Sequence, residues 1–184
     1  LNNSSLKPIA VGEGYSCMIA DEGNQAHASV YCWGSNVWGA LGIDSWNESC
    51  YCFIPANDTS SPTVRVPLPN YSSIDGSPVF PTKISAGDGH ACAVMTDGSL
   101  YCWGNNNNGQ IGNGSGNTMP WTQIGYPVLV DIPGRVTDVS AGFEFTCALN
   151  HSGVAYCWGD NTYGQLGIAG VNTPNTGTCY SEGG

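Results

Sequence analysis

Short segments rich in β-forming residues recur along the chain and are separated by polar turns that contain Gly, Asn and Asp. His90–Met95 and Ser99–Trp103 are the clearest pair, and they bracket Asp97-Gly98, which is a strong turn signal. A three-residue loop over 96–98 would place Gly98 at the left-handed bulge position, where a Cβ is most costly. The pattern therefore predicts antiparallel hairpins and an all-β chain.

One motif within this pattern is repeated. The tetrapeptide Tyr-Cys-Trp-Gly occurs at Tyr31–Gly34, Tyr101–Gly104 and Tyr156–Gly159. A Gly-x-Leu/Ile-Gly tail follows each copy at the same distance, at Gly39–Gly42, Gly109–Gly112 and Gly164–Gly167. Internal repetition of this kind predicts a domain built from stacked structural units.

The spacing of the tetrapeptides sets the predicted boundaries of these units. The first period is 70 residues and the second is 55, which indicates an insertion in the first unit. We predict one domain over 1–184, with repeat 1 at about 8–81, repeat 2 at about 82–134 and repeat 3 at about 135–184. The insertion, 44–81, is rich in Pro and is predicted to be a surface excursion that holds one edge strand over Thr63–Leu68.

The hairpin loops also predict which cysteines face each other. The loop over 96–98 and the loop over 151–153 independently give the same register, with one cysteine on each strand directly opposite the other. The first unit keeps both cysteines around a longer loop. The three predicted cross-strand disulfides join Cys92 to Cys102, Cys147 to Cys157, and Cys17 to Cys32.

Three of the nine cysteines are left over: Cys50, Cys52 and Cys179. An odd remainder means a free thiol, a partner outside this chain, or a bond to another chain, and the sequence leaves all three open. Nine cysteines in a chain of 184 residues indicate an oxidising compartment.

The repeated residues resemble a known family. The run from Val139-Ser140-Ala141-Gly142 through Gly164-Gln165-Leu166-Gly167 looks like the regulator-of-chromosome-condensation (RCC1-like) repeat, and so does the run from Ile84 to Gly112. The resemblance implies a β-propeller of four-stranded antiparallel blades, normally seven to the ring, here in an extracellular disulfide-bearing variety. Three units are too few to close a propeller of roughly 4–8 blades. We therefore expect an incomplete or open propeller, unless further chain or neighbouring subunits complete it.

The charge balance disfavours one class of partner. Net charge is −10, with 14 acidic against four basic residues, so the clustered Lys and Arg that phosphate binding needs are missing. We therefore expect no nucleic acid partner, and no chromatin role. The sequence also has no apolar run that resembles a membrane span.

A low charge content makes glycosylation the expected means of hydrating the surface. Only 10% of residues are charged, against about 25% in typical soluble proteins. Seven Asn-x-Ser/Thr sequons could carry glycans instead. They begin at Asn2, Asn3, Asn47, Asn57, Asn70, Asn113 and Asn150. The alternative is that loops are rich in Asn and Ser in any case, but we expect a secreted glycoprotein.

Candidate catalytic and metal-binding residues are better explained by structure. His90 occupies the repeat column that Tyr15 and Phe145 fill, which predicts a packing and hydrogen-bonding role. His27 and His151 share no metal-ligand spacing with it, and the hairpin cysteines lack a zinc knuckle. The sequence therefore predicts no catalytic residue, no metal and no cofactor beyond N-linked glycans.

The six tryptophans fall into two groups. Trp33, Trp103 and Trp158 repeat with the fold and are predicted to be core residues. Trp38, Trp46 and Trp121 break the pattern, so a contact surface or stacking on sugars is open for them, although packing is favoured.

Two functional hypotheses follow. The first is a non-catalytic extracellular glycoprotein whose blades are structural building units of a filament, a surface hair or a coat, with copies of itself or further repeats as partners. The alternative is a fragment of a closed secreted propeller that binds a protein or carbohydrate ligand through its loops. A GTPase exchange factor and an enzyme are both less favoured.

Overall fold

The computed structural model of the protein describes residues 8–21, 28–43, 64–114 and 123–167, and the backbone alone of 46–47 and 52–53. The regular elements within these ranges are all β-strands. They are β1 Ile9–Val11, β2 Tyr15–Asp21, β3 Ala28–Gly34, β4 Trp46–Asn47, β5 Cys52–Phe53, β6 Val64–Arg65, β7 Pro81–Ala86, β8 His90–Met95, β9 Leu100–Asn105, β10 Gln123–Val130, β11 Val136–Ala141, β12 Phe145–Asn150 and β13 Ala155–Gly159.

The strands form three antiparallel sheets, which we call blades 1, 2 and 3. Blade 1 has the order β1-β2-β3-β6, blade 2 the order β7-β8-β9-β10, and the described part of blade 3 the order β11-β12-β13. Each blade is an antiparallel meander, and in blade 1 a separate small β4-β5 hairpin intervenes in sequence between the paired strands β3 and β6. The predicted all-β fold of antiparallel blades is confirmed.

In blades 2 and 3 the hairpin registers are those that the loop lengths predict, and blade 1 keeps the same cysteine pairing around its longer loop. Cys92 lies opposite Cys102, Cys147 opposite Cys157, and Cys17 opposite Cys32. Each pair is joined by a disulfide with a Cα–Cα distance of 4.1 Å. Gly98 and Gly153 have φ angles of +83° and +80°, so both occupy the left-handed position that favours glycine. In the loop-entropy account, each short closure stabilises the fold by roughly 2–3 kcal/mol.

The core lies between the blades. Alternate residues of β2, including Tyr15, Cys17 and Ile19, pack against blade 2, because successive side chains of a strand point to opposite faces. All six residues of β8 are buried, since blade 2 is covered by blade 1 on one face and by blade 3 on the other. One hairpin cannot bury its own face, and stacking solves that problem for each blade in turn.

The segment after the first tetrapeptide departs from the predicted surface excursion. Its strand β6 pairs with β3, as the Thr63–Leu68 pattern predicts for an edge strand. Val66, Leu68 and Val79, however, are buried in the core between blades 1 and 2. Sequence alternation placed the strand correctly, but the partner face that buries these residues comes from a distant part of the chain.

Candidate functional site at the blade faces

Each blade has two faces, and each face carries a different part of the repeated sequence. We call the face that packs on the following blade the front face, and the face that packs on the preceding blade the back face. The tryptophan of the Tyr-Cys-Trp-Gly motif lies on the back face, as Trp103 and Trp158 do in the two internal interfaces. The Gly-x-Leu/Ile-Gly loop belongs to the front face, where Leu41 and Ile111 are buried.

A hydrogen bond joins the two motifs across each internal interface. The indole N–H of Trp103 donates to the carbonyl of Ala40 at 2.9 Å, and that of Trp158 donates to the carbonyl of Gln110 at 2.8 Å. Both acceptors are the second residue of the preceding unit's Gly-x-Leu/Ile-Gly loop. The tryptophan of one repeat is therefore bonded to the loop of the repeat before it.

Glycine at the end of that loop lets the indole approach. A Cβ on Gly42 would lie 2.9 Å from Nε1 of Trp103, and a Cβ on Gly112 would lie 2.5 Å from Nε1 of Trp158. Both glycines also have a left-handed φ, +68° and +75°. The final glycine of the motif is thus required by the neighbouring blade as well as by the turn.

An asparagine that the sequence analysis did not single out holds the loop in shape. Its side-chain oxygen accepts a hydrogen bond from the backbone N–H of the Leu or Ile five residues later, at 2.9–3.0 Å in all three units. These residues are Asn36, Asn106 and Asn161. The signal was present in the sequence, because each asparagine follows its tryptophan by three positions.

His90 is a buried structural residue in the interface between blades 2 and 3. Its Nε2 lies 2.9 Å from Oγ1 of Thr146, and that hydroxyl donates to the carbonyl of Gln110 at 2.9 Å. Because the threonine uses its one hydrogen on the carbonyl, Nε2 of His90 carries the imidazole proton. Nδ1 is buried without a partner, and burial lowers the pKa of His90 to about 4. The packing and hydrogen-bonding role expected for His90 matches this arrangement.

Tyr15 makes the corresponding link between blades 1 and 2. Its hydroxyl donates to the carbonyl of His90 and lies 3.3 Å from the carbonyl of Gly87. Burial, together with the nearby charge of Asp88, raises the pKa of the Tyr15 phenol well above its usual value. Phe145 fills this column in blade 3 and has no polar atom to offer.

The back face of blade 1 carries the same motif but is only half covered. Trp33 is half-buried, whereas Trp103 is 0% exposed. In the part of the chain that the structure describes, the indole N–H of Trp33 has no acceptor. Ser16, Met18 and Tyr31 share this face and are also partly exposed. This surface, the outer back face, is built like the two buried back faces.

The front face of blade 3 is open in the same way. Leu149 is 40% exposed, and Phe145 and the Cys147–Cys157 disulfide are half-buried, whereas the corresponding cysteines of blades 1 and 2 are fully buried. A Cβ on Gly167 would meet no described atom within 4 Å. We call this surface the outer front face.

The ends of β1, β7 and β11 converge around an open depression of about 270 Å³. Close approach is possible because Gly12 and Gly87 have no side chain where the next blade's backbone passes. Burial, and then hydrogen bonding and repulsion from Glu13, raise the pKa of Asp88 to about 6, and Glu144 adds repulsion.

Among the described residues, no group of three or more His, Cys, Asp or Glu could hold a metal ion.

The predicted glycosylation sites differ in exposure. Asn70 is exposed and Asn113 is half-buried. Asn150 is 6% exposed, and its amide nitrogen donates to the carbonyl of Pro133 at 2.9 Å. The other four lie outside the described residues, except for the backbone of Asn47; they are Asn2, Asn3, Asn47 and Asn57.

The remaining candidates are mostly outside the described part of the chain. Cys50, Cys179 and Trp121 lie outside it, and only the backbone of Cys52 and Trp46 is described. Trp38 packs against Gly89 of blade 2, so it belongs to the interface between blades 1 and 2. No helix in the described residues is both long and apolar enough to cross a membrane.

Sequence comparison identifies the repeat. Profiles described as Regulator of chromosome condensation (RCC1) repeat match residues 82–110 and 136–165, and also 97–149. The chain belongs to the RCC1-like repeat family. These matches cover the second and third units, and the structure shows that the first unit, with its insertion, has the same blade architecture.

Relatives of the RCC1-like chain are longer than the chain itself. It is 26% identical over 166 residues to the human protein named Probable E3 ubiquitin-protein ligase HERC6, covering 90% of this chain and 14% of that protein. It is 29% identical over 147 residues to Ultraviolet-B receptor UVR8 of Arabidopsis thaliana, covering 79% of this chain and 28% of that protein. Yeast RCC1 (Prp20), solved bound to Kap60, superimposes with a TM-score of 0.70 at 19% identity, over 94% of this chain and 36% of that one. The last likeness establishes the fold.

Proposed function

We propose that this RCC1-like chain is a non-catalytic extracellular glycoprotein that serves as a structural unit and associates through its two outer blade faces. The observation that carries the proposal is the likeness between the outer faces and the buried ones. Trp33 and Ser16 occupy the positions that the second and third blades bury completely or nearly so, and Phe145 and Leu149 lie on the opposite face. Covering the apolar part of these faces with another blade removes it from water and therefore favours association.

The extracellular assignment is supported by the chemistry of the chain. Three cross-strand disulfides persist best in an oxidising compartment. Sequons supply a means of hydrating a surface in which 10% of residues are charged, and Asn70 is exposed as a glycan acceptor must be.

A non-catalytic role is supported by where the polar residues lie. His90 and Thr146 form hydrogen bonds between blades, and burial keeps the imidazole of His90 neutral. The chain matches only 14% of the relative named as a ubiquitin ligase, so that protein's activity does not transfer.

A second candidate is part of a closed propeller that binds a protein or carbohydrate ligand through its loops. The specific observation in its favour is that the chain covers only 36% of the yeast RCC1 (Prp20) chain on which it superimposes. Further repeats of the same polypeptide would then cover the outer faces, and copies of this chain would not associate.

Electron microscopy of the chain, secreted from eukaryotic cells so that disulfides and glycans form, tests the proposal. The expected result is an ordered array, a filament or a layer, in which blade faces of neighbouring chains are in contact. Particles of single-chain size at all concentrations would contradict the structural role. They would leave the closed-propeller candidate standing.

A further inference from the structure

The two internal interfaces differ in a way that identifies what each face binds. Between blades 2 and 3, the carbonyl of Gln110 accepts two hydrogen bonds, from Trp158 Nε1 at 2.8 Å and from Thr146 Oγ1 at 2.9 Å. Thr146 lies directly opposite Trp158 in the sheet, so both donors belong to one back face. A carbonyl oxygen has two lone pairs and can accept both.

Between blades 1 and 2 the same positions carry a simpler pair. The loop residue is Ala40, and its carbonyl accepts the indole N–H of Trp103 at 2.9 Å. The residue opposite Trp103 in the sheet is Ala91, which has no hydroxyl to donate. The loop carbonyl therefore accepts two hydrogen bonds where the back face carries a hydroxyl at this position, and one where it carries Ala91.

The two outer faces carry the same groups as the interface between blades 2 and 3, including the hydroxyl. The front loop of blade 3 presents Gln165, at the position of Gln110. The outer back face of blade 1 presents Trp33 with Ser16 directly opposite it in the sheet, as Thr146 is opposite Trp158. The outer back face thus carries two donor groups at the positions of Trp158 and Thr146, and the outer front face carries a backbone carbonyl at the position of the Gln110 carbonyl.

Space for the contact is also present. Gly112 lies beneath the indole of Trp158, so close that a Cβ would be 2.5 Å from Nε1. Gly167 has the same position in its loop and a nearly identical φ of +74°, yet no described atom lies within 4 Å of its would-be Cβ. Among the described residues, none occupies the space beside Gly167 that the indole of Trp158 fills beside Gly112.

We propose that the outer front face of one chain binds the outer back face of a second copy, with Trp33 Nε1 and Ser16 Oγ donating to the carbonyl of Gln165. This inference rests on the proposed structural role and names the contact that performs it. The interface joins two different surfaces, so a pair of molecules still has one free front face on one copy and one free back face on the other. Head-to-tail contacts of this kind propagate into a filament or close into a ring.

A mixing experiment tests whether the contact is head to tail. Leu149→Asp disables the outer front face and Met18→Asp disables the outer back face, and both sites are at least partly exposed, so the blade itself is retained. Each variant alone is expected to be monomeric by light scattering. An equal mixture is expected to give a dimer, because one variant keeps the front face and the other keeps the back face. A mixture that stays monomeric, while the unmodified chain associates, would overturn the pairing.

Single substitutions then test the hydrogen bonds. Trp33→Phe keeps an aromatic ring but removes the indole N–H, and we expect a roughly tenfold weaker association, as is typical for a lost buried hydrogen bond. Gly167→Ala adds a Cβ in the space that the Trp33 indole of the second copy would occupy, and it is expected to weaken association at least as much. The matched control is Trp103→Phe, which removes the equivalent bond inside the chain. It should lower the melting temperature and leave the association constant unchanged.

The outcomes separate this inference from the proposed function. Association that is unaffected by Trp33→Phe and Gly167→Ala would overturn the inference and leave a structural role through another surface. A chain that is monomeric at every concentration would overturn both. Circular dichroism of each variant shows whether the blades remain folded.

Discussion

At the scale of single residues, the repeat places glycine where a neighbouring indole needs the space. The final glycine of the first two Gly-x-Leu/Ile-Gly loops, Gly42 and Gly112, serves two purposes, a left-handed turn and a close contact. Gly109, at the start of the second loop, has φ +79° and no atom within 4 Å of a would-be Cβ. The two glycines of one loop can therefore be compared directly.

We expect Gly112→Ala to lower the free energy of unfolding by roughly 2–3 kcal/mol, because it combines left-handed strain with a contact of 2.5 Å to Trp158. Gly109→Ala, the control, carries only the backbone strain and should cost about 1 kcal/mol. Urea denaturation of both variants is the measurement. Equal losses would show that the contact with the indole does not matter.

His90 gives the fold a dependence on pH with a definite sign. Its pKa is about 4 in the folded chain and near 6.5 when unfolded, so the unfolded state binds the proton more readily. Stability from this residue is complete above pH 6.5 and is lost as the pH falls toward 4, by roughly 2–3 kcal/mol. Asp88, with its pKa raised to about 6, acts in the opposite direction over the same window.

His90→Phe should therefore remove the pH-dependent part of the stability that comes from the imidazole. Phe is the replacement of choice because Phe145 fills the same column in blade 3. The measurement is the difference in unfolding free energy between wild type and variant from pH 7.5 to pH 4, which cancels the effect of Asp88. We expect the wild type to lose stability relative to the variant as pH falls. A difference that is constant with pH would contradict the neutral, buried imidazole.

Glycan occupancy should follow exposure. Asn70 is exposed and should carry a glycan, whereas Asn150 is buried and its amide nitrogen, the atom that a glycan would occupy, is hydrogen-bonded to Pro133. Glycopeptide mass spectrometry of the secreted chain measures both sites at once. Occupied Asn150 would mean that the turn before Ser152 differs from the one described.

At the scale of elements, the hairpins were predictable and the packing between them was not. A three-residue loop ending in a left-handed glycine fixes the register, so Cys92 opposite Cys102 follows from local sequence. The match of Thr146 with Gln110 joins residues 36 positions apart in different blades. No local pattern indicates that contact. The burial of Val66 was missed for the same reason.

The three disulfides should differ in their accessibility to reductants. Cys147–Cys157 is partly exposed on the outer front face, whereas Cys92–Cys102 is covered by blade 3 and is 0% exposed. Under native conditions a small thiol should reduce the blade 3 bond first, since thiol–disulfide exchange needs access to sulfur. Timed alkylation with mass spectrometry measures the order. Faster reduction of Cys92–Cys102 would contradict the burial described for blade 2.

At the scale of the whole molecule, the described residues form three blades with two unlike outer faces, which we propose pair with one another. Blade 2 shows what a covered blade looks like, with every residue of β8 buried. Blades 1 and 3 each have one such face and one that is open among the described residues. The family resemblance predicted this incompleteness from the number of repeats, but the identity of the matching residues required the structure.

Sedimentation equilibrium of the secreted chain over a wide concentration range measures whether copies of the chain associate through their outer blade faces. If the outer faces pair, the mass rises with concentration beyond that of one glycosylated chain, and it rises less for Trp33→Phe. A single-chain mass at every concentration, with the disulfides intact, would contradict it.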